Sequence, residues 1–144
     1  MASSAAAAPA LRVAFYFDVI SPYACVTWHV LKRYKPLWGF GLDVVPVFQG
    51  GVMAATGNMP PSLSPVESKV SFFAADLERN KAFFGVPILD PPANFFSEVA
   101  KSTIHCQRLL TAALMREEGE RGGGGGGGGG GDGGVERLVE EMMR

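Results

Sequence analysis

Phe15-Tyr16-Phe17-Asp18-Val19-Ile20-Ser21-Pro22-Tyr23-Ala24-Cys25 is the stretch on which the fold turns. Its first part closes a run, Arg12 to Val19, of β-branched and aromatic residues that is apolar on both faces, the pattern of a buried strand. Asp18 is the exception. At Ser21 the pattern changes. Serine is a good N-cap and proline suits the first helical position, so a helix starts here with its positive dipole end beside a hydroxyl. An anion is welcome at such a place.

Working outward, Ala24, Trp28 and Leu31 stand at helical spacing, Lys32, Arg33 and Lys35 put cations near the helix C-terminus, and Pro36 is expected to stop it. Gly41 to Phe48 reads as a second apolar strand. The product is a β-α-β unit with parallel strands and a right-handed crossover. Ligands of such sheets sit at the carboxyl ends of the strands, where Ser21 stands. Gln49 to Leu63, punctuated by Gly50, Gly51, Gly57, Asn58, Pro60 and Pro61, is expected to be a loop long enough to bind something.

Ser64-Pro65-Val66-Glu67 has the form of a capping box with proline at the first helical position, followed by a stripe of Val66, Val70, Phe73 and Leu77 and a stop at Gly85. Pro87, Pro91 and Pro92 make a stiff connector. Phe95 to about Glu118 is then a further helical region, with Ile104, Leu109, Leu110 and Leu114 expected to face a core. Ten consecutive glycines, Gly122 to Gly131, carry maximal backbone entropy and no side chain to bury, so disorder is expected there. Val135, Leu138, Val139 and Met142 lie at helical spacing, in a segment too short to hold a helix unless it docks on something. The divisions are a flexible segment 1–10, a partial domain 11–118 whose helical part is about 62–118, a Gly-rich linker 119–134, and a short helix 135–144.

Composition narrows the function classes. The 144 residues suffice for one ordinary domain, and 47% hydrophobic content with ten phenylalanines supplies a core. A net charge of −1 gives no electrostatic footprint for nucleic acid. Apolar runs are too short for a membrane span. Cys25 and Cys106 are far apart and lack metal-ligand spacing, so neither a disulfide framework nor a metal site is indicated, and a reducing compartment fits. The first residues, Ala/Ser-rich and acid-free, resemble an organellar transit peptide only faintly, and they lack the charged start of a secretory signal.

A serine hydroxyl needs a general base to act as a nucleophile, and neither His29 nor His105 is placed by sequence to serve Ser21. What Ser21 can do is donate a hydrogen bond to an anion, with the helix end adding to the effect. A thiolate brought by a ligand is the natural client, because a thiol beside a helix N-terminus ionises more readily.

Phe15-Tyr16-Phe17-Asp18-Val19-Ile20-Ser21-Pro22-Tyr23 resembles the opening motif of kappa-class glutathione transferases and the related 2-hydroxychromene-2-carboxylate isomerases. Thr56-Gly57-Asn58-Met59-Pro60-Pro61 is similar to that family's Gly-Asn-x-Pro-Pro loop, and Gln107 to Leu114 to its Arg-Phe-Leu-Thr-Ala stretch. The resemblance covers Val13 to about Leu114. It implies an α/β, DsbA-like thioredoxin fold: a βαβ unit followed by an all-helical insertion. Ser21 and Ala24 then occupy the two cysteine places of thioredoxin-like redox proteins, so no disulfide can form across them. By the same resemblance Ser21 is catalytic and steadies the glutathione thiolate, and Pro22, Tyr23 and Asn58 bind the tripeptide; Lys69, by its residue type, is read as a solvated helix lysine.

The family continues into further sheet strands that have no counterpart here, so the C-terminal strands are expected to be missing, with an exposed sheet edge as the result. The function implied is glutathione transfer to a small electrophile. Glutathione-dependent isomerisation of a hydroxychromene carboxylate and a non-catalytic, shortened relative are the alternatives. The resemblance also implies a homodimer and a mitochondrial or peroxisomal location, with the cytoplasm as the other choice. Cys25, Cys106, His29 and His105 are read as packing or surface residues, and Phe15, Tyr16 and Phe17 as strand packing.

Overall fold

The computed structural model describes residues 11–122 and 133–143. Strand β1 (Arg12–Phe17), helix α1 (Pro22–Trp38) and strand β2 (Gly41–Pro46) form the expected unit, a parallel pair in register from Arg12 opposite Gly41 to Phe17 opposite Pro46. Asp18 and Val19 fall outside the strand because the chain turns there: the Asp18 carbonyl accepts from Ser21 N–H at 3.0 Å. The second strand likewise ends before Phe48, at a proline that has no N–H for a ladder.

One face of the sheet is covered. Phe15, Phe17 and Val44 pack with Trp28 of α1, and the Phe15 and Trp28 rings stack 6.1 Å apart. The other face carries Tyr16, 67% exposed, which corrects the expectation of a strand buried on both sides. Among the described residues the helices lie against the first face only. The alternation of burial along β1, with Arg12, Ala14 and Tyr16 outward, is that of a strand covered on one side.

Helix α1 runs past Pro36 and closes at Gly39, whose φ of +64° lets its N–H return to the Lys35 carbonyl at 2.9 Å. Pro36 so near the end costs one ladder bond and does not stop the helix. The segment read as a loop contains helix α2 (Gln49–Thr56) and a single 3₁₀ turn, Pro61–Leu63. Gly50 and Gly51 serve close packing here: a Cβ on Gly51 would lie 2.8 Å from Cδ1 of the Phe48 ring.

Helix α3 (Glu67–Phe84) begins later than the capping-box reading, without a side-chain cap. Ser64 Oγ instead accepts from Val66 N–H at 3.1 Å, a local turn that uses up the hydroxyl before the helix starts. The stop at Gly85, φ +66°, is as expected. Val70, Phe73 and Leu77 are half-buried, whereas Val66 is exposed.

One π turn (Phe95–Val99) leads into helix α4 (Ala100–Gly122). Leu110 is fully buried on it, with Ile104 and Leu114 half-buried, but Leu109 is 55% exposed. The inward stripe is Thr103, Gln107, Leu110 and Leu114, so polar groups hold two places that the apolar reading gave elsewhere.

The closing helix α5 (Gly134–Met142) does dock. Val135 and Val139 enter the common core, Trp28 Nε1 donates to Glu140 at 3.0 Å, Lys35 pairs with Glu136 at 2.6 Å, and Glu117 of α4 caps Val135 N–H at 2.8 Å. The segment 1–10, expected to be flexible, and residues 123–132, where disorder is expected, lie outside the described residues.

Candidate functional site

Ser21 caps α1 as its residue type demands. Its Oγ accepts from Ala24 N–H at 3.3 Å, and its carbonyl accepts from Cys25 N–H at 3.1 Å. Among the described residues nothing takes the hydroxyl proton, so that proton is available to an incoming anion at the positive end of α1.

Immediately after Ser21 and Pro22, Tyr23 enters a cleft of about 790 Å³ between the α1 mouth, the end of α2 and α3. Asn58 stands on the same wall system, delivered by the end of α2, where its N–H bonds the Met53 carbonyl at 2.9 Å next to Gly57 at φ +66°. The Asn58 Oδ1 is taken by Met59 N–H at 2.8 Å, which turns the amide nitrogen into the group left to donate. Two of the four sequence-predicted residues, Tyr23 and Asn58, thus line one cleft, while Ser21 and Pro22 stand just outside its lining at the helix mouth.

Lys69, exposed as its reading as a solvated helix lysine expects, also lines the cleft. It is the cation in a wall otherwise made of Met53, Met59, Phe72 and Phe73 with small polar residues. The signal was in the sequence: Lys69, Phe73 and Asp76 stand at i, i+4, i+7 and share one face of α3. Phe73 meets the Tyr23 ring edge-on at 5.7 Å, and the Tyr23 hydroxyl donates to Asp76 Oδ2 at 2.7 Å. Burial, and then the bond to the Asp76 carboxylate, push the Tyr23 phenol up to about 12. Tyr23 is therefore a neutral wall that spends its proton on Asp76.

Cys25, one residue on from Ala24, is buried, and its thiol donates to the Met143 carbonyl at 3.2 Å. Burial pushes its pKa up, away from a reactive thiolate. His29 Nδ1–H donates to the Cys25 carbonyl at 2.9 Å, which ties the ring to its own helix and away from Ser21. Among the described residues no group of His, Cys, Asp and Glu could hold a metal ion.

Sequence reasoning missed the bonds beneath the site. Asp18 is buried and accepts from Ile20 N–H at 3.2 Å, from Gln49 N–H at 2.8 Å and from the Gln107 amide at 2.9 Å. Its only sequence signal was a lone acid in an apolar strand.

Residues 12–121 match the family described as DSBA-like thioredoxin domain. Glutathione S-transferase kappa 1 of Rattus norvegicus is 37% identical over 111 residues, which are 76% of this chain and 48% of that protein. A 2-hydroxychromene-2-carboxylate isomerase of Pseudomonas sp. (strain C18) is 31% identical over 85 residues, 59% of this chain and 40% of the relative. A solved 2-hydroxychromene-2-carboxylate isomerase superposes with a TM-score of 0.50 at 28% identity, covering 59% of this chain and 41% of the other. The chain spans about half the length of the curated relatives it matches.

Proposed function

The chain belongs to the DSBA-like thioredoxin domain family, in the group of kappa-class glutathione transferases and 2-hydroxychromene-2-carboxylate isomerases, and from that premise we propose that it binds glutathione and holds the sulfur as a thiolate at Ser21. The observation that carries this reading is the free proton of a capping serine at the head of α1, directly beside a cleft that holds Asn58 and Lys69. The hydroxyl and the helix dipole both favour the ionised sulfur over the neutral thiol. Lys69 offers a charge partner to a carboxylate of the tripeptide, and the Asn58 amide a donor to its backbone. Pro22, with no N–H of its own, sets the helix entry, and the Tyr23 ring forms the adjoining wall.

For transfer, the thiol proton goes to solvent, the thiolate attacks an electrophilic carbon such as that of an aryl halide, a C–S bond forms, and the halide leaves with the bonding pair. The apolar side chains Met53, Met59, Phe72 and Phe73 give such a carbon skeleton somewhere to lie. A second reading has support from the isomerase relatives and the superposed isomerase structure: the same thiolate adds to a hydroxychromene-type carboxylate and is later expelled, so glutathione is regenerated.

Retention of the folded chain on immobilised glutathione, with elution by free glutathione, is the expected result. Ser21→Ala should keep binding but lower turnover about 10²-fold or more, as loss of a donor aimed at developing charge does elsewhere. Assays with an aryl halide and with a hydroxychromene carboxylate separate transfer from isomerisation. Flow-through of folded protein would favour a non-catalytic relative.

A further inference from the structure

Asp18 is 2% exposed, and among the described residues no cation pairs with its carboxylate. A buried carboxylate in that position is tolerable only when N–H groups surround it. Those donors come from three parts of the chain: Ile20 in the turn before α1, Gln49 at the first residue of α2, and Gln107 on α4. The Asp18 carbonyl also takes the Ser21 N–H at 3.0 Å. Helix α2 has no cap from its own N-cap residue, Phe48, so Asp18 caps it from 31 residues away and sets a negative group at its positive end. The far end of α2 leads directly to Gly57 and Asn58.

We propose that Asp18, steadied by Gln107, is a positioning residue that holds the Ser21 turn and the α2 arm carrying Asn58 in one fixed relation. The proposal rests on the glutathione reading for its functional consequence, and on the hydrogen bonds alone for its structural one.

Gln107 shows why positioning is the better description than support. It is 5% exposed, and its Oε1 has no donor among the described residues. Replacing the amide by an apolar residue of similar length costs one hydrogen bond to a buried carboxylate oxygen that the Ile20 N–H still serves. What the amide supplies is one directed bond to Asp18.

The test is Gln107→Met in the full chain, with Asp18→Asn as a second, isosteric variant. Three quantities decide it: the melting temperature, the exchange rate of the Gln49 amide, and the glutathione KM against kcat with an aryl halide. For Gln107→Met the melting temperature should fall by no more than about 12 °C, the cost of one buried hydrogen bond to a carboxylate. Gln49 exchange should accelerate, and the glutathione KM should rise about tenfold with kcat within about twofold, because Ser21 keeps its local bond to Ala24 while Asn58 loses its fixed place. Asp18→Asn should accelerate Gln49 exchange further.

A melting temperature lower by more than about 15 °C would make Gln107 structural support and overturn the proposal. Unchanged Gln49 exchange would overturn it as well, whatever happens to the KM. If the parent chain itself does not bind glutathione, the functional reading falls, and faster Gln49 exchange in both variants still upholds the positioning of α2.

Discussion

Helices α1 and α3 flank the same cleft and are of similar length, yet they are held in opposite ways. Helix α1 buries Ala24, Cys25, Val26 and Trp28 and is gripped by β1 on one side and α5 on the other. Helix α3 buries no residue fully, and Phe72 and Phe83 on it are 63% and 82% exposed. The cleft is thus a seam between a packed body and a lightly held arm, joined across its mouth by the Tyr23–Asp76 bond and the Tyr23–Phe73 ring contact. Local stability follows apolar burial, so Ser21, the serine proposed to hold the sulfur, stands on the stable side and Lys69 on the side that opens at lower cost.

The largest expected effect strikes the packed side. Trp28→Ala removes a fully buried ring that stacks on Phe15 and bonds Glu140, and should destabilise the chain by about 3–5 kcal/mol in denaturant titration. A loss under about 1 kcal/mol would dissolve the contrast between the two helices.

Smaller, and located at the seam itself, is the titration of Tyr23. Its folded-state pKa is raised to about 12, so the folded chain keeps the phenol proton where the unfolded chain, near 10, has lost it. The sign follows: stability is fully present below pH about 10 and falls as pH climbs toward about 12. Asp76→Asn should bring the Tyr23 transition, read by ultraviolet absorbance, back toward the ordinary tyrosine range. A transition that does not move would mean that burial alone holds it up.

Least of all should follow from Phe83→Ser on the outer face of α3. With 82% of that side chain already in water, the change in unfolding free energy should stay within about 0.5 kcal/mol. A larger loss would show that α3 is held by contacts that its exposure does not reveal.

How much of this could be read from residues depended on how far each interaction reaches. The βαβ unit, the Ser21 cap, the stop at Gly85 and the inward Trp28 rest on neighbours a few positions away, and all were legible. The face covered by each element was less so. Tyr16 matched its strand neighbours in residue type and differs from them only because the helices lie against one side of the sheet. Leu109 was placed inward by its character, whereas Gln107 and Thr103 took the inward stripe because Gln107 meets Asp18 there. Two cleft residues, Tyr23 and Asn58, were legible from motif, whereas helical spacing puts Lys69 on the face of Phe73 and Asp76 without saying what that face meets.

Residue pattern by itself determined where the chain extends, where it coils and where a hydroxyl meets a helix end, because backbone conformation and capping are settled within three or four residues. Only the tertiary structure decided that the supposed loop after β2 is a helix, that a buried aspartate caps it, and that Lys69 faces Tyr23 and Asn58. Those outcomes depend on hydrogen bonds between residues 31 and 89 positions apart, and on which surfaces are covered when the helices close on the sheet. No local preference encodes a donor that arrives from another helix.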